Sequence, residues 1–181
     1  MNIVFISPHY PPNFVNFSLQ LKRLGARVLG LADESYENFP TELRWALTEY
    51  YQVDSLSNYD QLIRALGYFT HRFGKIDRLD SLNEFWLETE AQLRTDFNIF
   101  GIKTHDIMKI KRKSEVKKSV KHVNVRVAAG VKPKNDKAAF EFAAQVGYPL
   151  VAKPDIGVGA NSTYKIHHDL ELQQYLEKKL P

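Results

Sequence analysis

The first hundred residues alternate between short apolar runs and segments of helical periodicity, a pattern that few folds satisfy. The apolar runs are residues 2–7, 26–31 and 76–82, with a weaker run at 50–53. Strand-length runs separated by helix-length segments are typical of a parallel sheet whose crossover helices cover both faces. We therefore predict a Rossmann-like α/β domain with a parallel sheet.

Capping and stop residues flank the helical segments. Asn13 and Asn83 are suited to cap two of the helices, and Gly25 and Gly74 are suited to end two of them. The apolar residues at helical spacing in the first helix are Phe14, Phe17, Leu21 and Leu24. The first strand is followed by PHYPPNF rather than by G-x-G-x-x-G, which argues against a standard NAD-binding unit.

A change in composition near residues 104–113 marks the expected connection to a second unit. We place the first domain at 1–105 and the second at 106–181. Residues 1–105 carry 10 Lys and Arg against 13 Asp and Glu, whereas residues 106–181 carry 15 against 8. The second domain is therefore suited to anions, a class that includes nucleotide phosphates, nucleic acids and acidic metabolites.

The second domain is predicted to be of the α+β class. Its expected helices are residues 114–122, a helix that Asn135 or Asp136 opens and that ends before Gly147, and residues 169–180. Its expected strands are residues 123–127, which alternate as VNVRV, residues 150–153 and residues 163–167.

Glycines lie between the last two predicted strands, in the segment Gly157-Val158-Gly159-Ala160-Asn161-Ser162. A Rossmann turn opens a helix whose N-terminus faces a pyrophosphate, but residues 163–167 alternate like a strand. A P-loop is excluded as well, because no Lys-Ser/Thr pair follows the glycines at the required place. The glycines are therefore predicted to form the tip of a β-hairpin.

A hairpin tip of small residues can close over phosphates, because its backbone N–H groups approach anions without interference from side chains. Lys153 lies directly before Pro154 on the incoming strand, where it would supply a compact positive charge for phosphate oxygens. The alternative interpretation is a glycine-containing surface hairpin beside an exposed lysine, and a glycine loop by itself does not exclude it.

The run from Gly147 to Pro154 (GYPLVAKP), followed by the glycine segment, resembles the small lobe of the ATP-grasp enzymes. In that family a second lysine lies upstream, ahead of a short helix and strand. Lys113 fits this position, with Lys111 and Lys109 as alternatives. The resemblance implies that Lys113 and Lys153 contact ATP phosphates. It also implies a phosphate-covering flap formed by Gly157, Gly159, Ala160, Asn161 and Ser162.

The same family places a Rossmann-like "pre-ATP-grasp" domain directly upstream, in agreement with the separate prediction for residues 1–105. Asn83-Glu84 ahead of an amphipathic helix resembles a pattern in the carbamoyl-phosphate-synthase-like and amino-acid ligase branches. His9, in the loop after the first strand, lies where open α/β sheets bind ligands. These three residues are candidates for the substrate side. The alternatives are a helix cap at Asn83, a first-turn carboxylate at Glu84 and loop packing at His9.

As the resemblance implies, a complete member of the family is an ATP- and Mg²⁺-dependent ligase. It phosphorylates a carboxylate, and a nucleophile then attacks the acyl phosphate. Its magnesium ligands lie in a large lobe that follows the small one, and the sequence up to residue 181 does not include that lobe. We therefore expect the N-terminal part of a ligase for an unidentified carboxylate, inactive by itself. The alternative is a non-catalytic module that binds a nucleotide or a partner.

Other functional classes find less support. The lysine cluster from Lys109 to Lys121 would suit a nucleic acid, but it has no interleaved aromatic residues and no helix-turn-helix or zinc spacing. A solvated helix face explains the cluster more simply. No G-x-S-x-G or H-E-x-x-H motif is present. His167 and His168 are adjacent and would point to opposite faces of a strand, a poor geometry for a shared metal ion.

No apolar run approaches the length of a membrane span, and the N-terminus lacks the pattern of a signal peptide. With zero cysteines, neither a disulfide nor a thiolate metal site can form. A soluble, cytoplasmic protein is the expectation. Formation of a homo-oligomer that covers the open side of the small lobe is one arrangement that the sequence allows.

Overall fold

The structure, a computed structural model, describes residues 1–123, 125–157 and 162–178. The chain divides into two compact units, Met1–Ile107 and Met108–Pro181, which we call unit 1 and unit 2. The division falls inside a helix rather than in a loop. The assignment of domains to residues 1–105 and 106–181 stays a prediction from the sequence.

Unit 1 is built on a sheet of four parallel strands in the order β3-β2-β1-β4. The strands are β1 Asn2–Ile6, β2 Arg27–Ala32, β3 Glu49–Gln52 and β4 Arg78–Asp80. Their positions follow the apolar runs of the sequence, because strands that are covered on both faces need apolar side chains on both. The predicted parallel α/β arrangement is confirmed.

Helices cover both faces of this sheet. They are α1 Val15–Arg23, α2 Thr41–Ala46, α3 Tyr59–Phe73 and α4 Leu87–Asp96, with 3-10 turns at Pro12–Phe14, Tyr36–Asn38 and Glu84–Trp86. The helix α5 Thr104–Lys111 follows α4 in the chain. Successive residues of a strand point to opposite faces. Val4 accordingly belongs to the core cluster that includes Leu66 of α3, and Phe5 belongs to the cluster that includes Leu43 of α2.

The first helix differs from its prediction. Asn13 is not its cap but lies within the turn Pro12–Phe14, and α1 begins at Val15 without a side-chain cap. The predicted apolar stripe is right only in part, because Leu21 packs against the core whereas Phe17 is 50% exposed and Leu24 is 83% exposed. Proline fixes the backbone at the start of this segment, and the helix after that separate turn presents a different stripe to the sheet.

Beyond the end of α5, the described residues of unit 2 form three helices and two paired strands. The elements are α6 Lys113–His122, α7 Asp136–Val146, β5 Leu150–Ala152, β6 Tyr164–Ile166 and α8 Asp169–Glu177. Asn135 caps α7, since its side chain accepts a hydrogen bond of 2.9 Å from the Ala138 N–H. This observation decides between the two residues that the sequence offered as the cap.

The strand predicted at residues 123–127 is wrong. In the described part of this run, which excludes Asn124, no residue is in a strand. Val123 is 70% exposed and Val125 is 53% exposed. Alternation favours a strand only where one face becomes buried and a neighbouring strand supplies hydrogen bonds, and these residues have neither.

Candidate functional site

The hairpin of unit 2 carries the glycine segment. β5 and β6 pair antiparallel, with Leu150 opposite Ile166 and Ala152 opposite Tyr164. A strand and not a helix follows the glycines, as predicted, so the segment is not a Rossmann turn. Gly159, Ala160 and Asn161 lie outside the described residues.

The two faces of the hairpin differ. Leu150 and Ala152 pack with Ala143 of α7, in the small core cluster of unit 2. Val151, between them, is 61% exposed. Lys153 follows two residues later, so strand alternation places it on the same open face, and its side chain is exposed. The predicted phosphate-binding lysine is therefore accessible to a ligand.

Lys113 meets the start of the glycine segment, although 44 residues separate it from Gly157. It is the first residue of α6, and its backbone N–H donates a 3.0 Å hydrogen bond to the carbonyl of Asp155. Its ammonium Nζ donates a second bond, also 3.0 Å long, to the carbonyl of Gly157. Lys109 and Lys111 lie in α5 and stay alternatives to Lys113 for contact with a nucleotide.

Asp155 connects the hairpin to α6. One carboxylate oxygen accepts a bond of 2.9 Å from the Ser114 N–H, and the other accepts 3.1 Å from the Ser114 hydroxyl and 3.3 Å from Lys132 Nζ. Burial acts to raise the pKa of Asp155, but the hydrogen bonds from Ser114 and Lys132 outweigh it and hold the pKa below its ordinary value. The carboxylate is thus ionised and occupied at neutral pH.

Gly157 and Ser162 flank the part of the segment that is not described. A Cβ built on Gly157 would lie 3.5 Å from Cβ of Pro154, which is an ordinary contact. Packing therefore does not require glycine at this position. Ser162 has a φ of 56°, in the left-handed region that a non-glycine residue adopts at a cost. A phosphate-covering role of the segment stays a prediction.

The candidates in unit 1 lie at the carboxyl end of the sheet. His9 follows β1 and stacks on Phe39 with 5.3 Å between ring centroids. Its Nδ1 is buried and has no hydrogen-bond partner in the part of the chain that is described. Burial lowers the pKa of His9, and the nearby carboxylates of Glu34 and Asp33 only partly offset this.

Asn83 and Glu84 follow β4, the strand beside β1. The Asn83 side chain accepts a 3.0 Å hydrogen bond from the Phe85 N–H and so caps the turn that leads into α4. Glu84 lies in the first turn, where a carboxylate is favoured by the helix dipole. The capping interpretation is confirmed, and a substrate role for these residues stays a prediction.

Sequence reasoning missed two residues of the site, Asp155 and Lys132. The available signal was the acid that directly follows Lys153-Pro154, since a carboxylate beside a phosphate-binding lysine needs donors of its own. The donors to Asp155 could be identified only from the tertiary structure, because Ser114 and Lys132 lie 41 and 23 residues from Asp155 along the chain.

Neither a metal-binding cluster nor a membrane-spanning helix is found among the described residues. Over residues 1–123, 125–157 and 162–178, no group of three or more His, Asp or Glu could hold a metal ion. No helix in the same described ranges is long and apolar enough to cross a membrane.

Known proteins resemble both units. Residues 112–180 match the family described as the ATP-binding domain of the carbamoyl-phosphate synthase L chain. One curated relative is the carbamoyl phosphate synthase large chain, C-terminal section, of Methanocaldococcus jannaschii. It is 27% identical over 81 residues, which are 45% of this chain and 13% of that protein.

Two solved structures share the fold at low sequence identity. The L-amino acid ligase from Bacillus licheniformis has a TM-score of 0.67 at 18% identity, with 98% of this chain and 41% of that chain covered. The biotin carboxylase domain of the Hydrogenobacter thermophilus 2-oxoglutarate carboxylase, a dimer in complex with MgADP, ADP and bicarbonate, has a TM-score of 0.75 at 17% identity. There the match covers 98% of this chain and 40% of that one.

The chain thus spans about two fifths of the length of these solved structures. The family match covers Lys113, Lys153 and the glycine segment, and the structural matches cover nearly all of the chain. Residues 112–180 therefore resemble the ATP-binding domain of the carbamoyl-phosphate synthase L chain, and the chain shares its fold with the matching part of the ligase and carboxylase structures.

Proposed function

We propose that unit 2 binds the phosphates of ATP through Lys153, Lys113 and the glycine segment. The observation that carries the proposal is the 3.0 Å bond from Lys113 Nζ to the Gly157 carbonyl. It joins two features that the sequence assigns separately to phosphate binding. An ammonium beside a segment of small residues suits phosphate oxygens, because a compact positive charge and backbone N–H groups free of bulky side chains both bind anions.

The match of residues 112–180 to an ATP-binding domain supports this assignment. Gly157 supports it too, since neither packing nor a positive φ requires a glycine there. A small residue at such a position permits a ligand to approach the backbone closely.

For the protein to which these residues belong, we propose ATP-dependent ligation of a carboxylate through an acyl phosphate. As the family resemblance implies, we propose that Mg²⁺ is held by a large lobe that follows the small one; among the described residues there is no group of three or more His, Asp or Glu that could hold it. The 181 residues would then bind a nucleotide without turnover. A homo-oligomer that covers the open side of the small lobe is part of the same proposal.

Nucleotide binding tests the proposal. ATP is titrated into the chain and into its Lys153→Ala and Lys113→Ala variants, with affinity followed by NMR chemical shifts. Each variant should weaken binding by about tenfold, because a charge-assisted contact with phosphate is removed. Lys137→Ala is the control, since Lys137 is exposed, carries the same charge and lies on α7.

Equal affinities in the two test variants and the Lys137→Ala control would contradict the phosphate site. The same preparations are assayed for ATP hydrolysis with and without bicarbonate, the anion bound in the Hydrogenobacter thermophilus structure. Hydrolysis that depended on bicarbonate would contradict the proposed inactivity of the chain by itself.

A further inference from the structure

The start of α6 has no cap of its own. Arg112 occupies the N-cap position and its side chain caps nothing. The first N–H groups of a helix have no partner within the helix and need an acceptor from elsewhere. Asp155 supplies it, with its backbone carbonyl accepting from Lys113 N–H and its carboxylate accepting from Ser114 N–H.

These contacts fix the position of Lys113 relative to Asp155. Three acceptor oxygens of Asp155 hold two consecutive residues of α6, Lys113 and Ser114. Asp155 is also two residues after Lys153 and two before Gly157 along the chain. The short segment 153–157 thus contains Lys153, the residue Asp155 that holds Lys113 in place, and the first residue of the glycine segment.

The carboxylate itself is poorly suited to touch a phosphate. The Asp155 side chain is only 18% exposed, and its two oxygens already accept three hydrogen bonds. A negative charge at the N-terminus of α6 is favoured by the helix dipole, whereas the same charge against a phosphate would be repelled. Any influence on a nucleotide therefore passes through the residues that Asp155 holds.

We propose that Asp155 is a positioning residue that sets Lys113 at the glycine loop so that both lysines reach the same phosphate group. The proposal rests on the proposed function of unit 2. Without the carboxylate, the Ser114 N–H loses its acceptor, the first turn of α6 loosens and the Lys113 ammonium is no longer held beside Gly157.

The experiment compares Asp155→Ala with Asp155→Asn in the 181-residue chain. Two quantities are measured by NMR, the exchange rate of the Ser114 amide hydrogen and the affinity for ATP. Asp155→Ala should speed the exchange and weaken ATP binding by about tenfold. Asp155→Asn keeps an acceptor oxygen for the Ser114 N–H and should restore most of both. Asp136→Ala, which removes an exposed acid at the start of α7, is the charge-matched control and should change neither.

The Ser114 amide shift supplies a separate readout. In the unchanged chain it should titrate below the ordinary pKa of an aspartate, because folding lowers the pKa of Asp155. In Asp155→Asn this titration should be absent. Should the unchanged chain bind no ATP, the proposed function itself would be wrong. ATP binding by the unchanged chain and equally well by a folded Asp155→Ala would overturn the positioning role alone, as would unchanged exchange at Ser114.

Discussion

The two units are stabilised in different ways. In unit 1 two large apolar clusters lie on the two faces of a four-stranded sheet. The described core cluster of unit 2 has three buried members, Ala143, Ile166 and Leu172, under a two-stranded sheet. A hairpin of two strands is at best marginally stable without further packing. Unit 2 therefore depends more on capping and on polar contacts such as those of Asp155.

The candidate phosphate site lies in the less buried of the two units. A surface that binds an anion must leave lysines and backbone groups unburied until the ligand arrives. Unit 1 has its own buried charged pair, but that pair is enclosed by protein. Glu90 is 1% exposed and Arg94 is 6% exposed, and Arg94 Nη2 lies 2.8 Å from Glu90 Oε2.

Breaking this buried pair should give the largest effect. Glu90→Ala removes one partner of a buried guanidinium and an acceptor of the Ser81 hydroxyl. Because Arg94 keeps Asp80 at 3.6 Å and the Leu79 carbonyl, we expect the lower end of the range for a broken buried pair, a loss of about 3 kcal/mol in the free energy of unfolding of unit 1. Urea unfolding followed by tryptophan fluorescence measures it, because Trp45 and Trp86 both lie in unit 1.

Gln92→Ala is the matched control, since Gln92 is exposed on the same helix, α4. It should leave the free energy of unfolding of unit 1 within about 0.5 kcal/mol of that of the unchanged chain. A Glu90→Ala variant as stable as this control would mean that the buried pair does not hold unit 1 together.

The next effect concerns unit 2. Leu172→Ala should cost about 2 to 3 kcal/mol, the lower part of the range for leucine truncation, because partly buried neighbours can close around the gap. With so few buried residues, unit 2 should lose its NMR amide dispersion while the tryptophan transition of unit 1 is unchanged. Leu170→Ala, at a 60% exposed position of α8, is the control. If Leu172→Ala lowered the stability of both units together, the claim that the two units are stabilised separately would be wrong.

The smallest expected effect is the loss of a single helix cap in each unit. Asn135→Ala removes the cap of α7 and Asn58→Ala removes the cap of α3, and each should cost about 1 kcal/mol. The same loss should lower the melting temperature of unit 2 more than that of unit 1, because the entropy of unfolding grows with size and unit 2 is smaller. Calorimetry resolves the two shifts, and equal shifts would argue that the units melt as one.

Much of the fold could be predicted from the sequence because local signals agreed with burial. The runs that became β1 and β2 are mostly apolar where they are buried, and Gly74 ends α3 with a φ of +81°. The segment 123–127 alternates in its local pattern, but none of its described residues lies in a strand, so its prediction was wrong. Periodicity describes which face a residue would occupy and not whether anything covers that face.

The candidate site was predictable in part. Lys153 and the glycine segment are continuous in sequence, and a hairpin follows from two strand-like runs around small residues. The contact of Lys113 with Gly157 and the role of Asp155 arise from the packing of α6 against the hairpin, 44 and 41 residues apart. No local pattern encodes such distances, so tertiary structure was required to find them.

The bond between Lys113 Nζ and the Gly157 carbonyl makes nucleotide binding at this site an exchange of partners. If Lys113 binds phosphate as proposed, its ammonium must leave a neutral carbonyl for an anionic oxygen, or share its protons between the two. The anionic acceptor forms the stronger bond, so the exchange favours the nucleotide. The free energy gained at Lys113 is therefore the difference between these two hydrogen bonds, and not the full strength of the bond to phosphate.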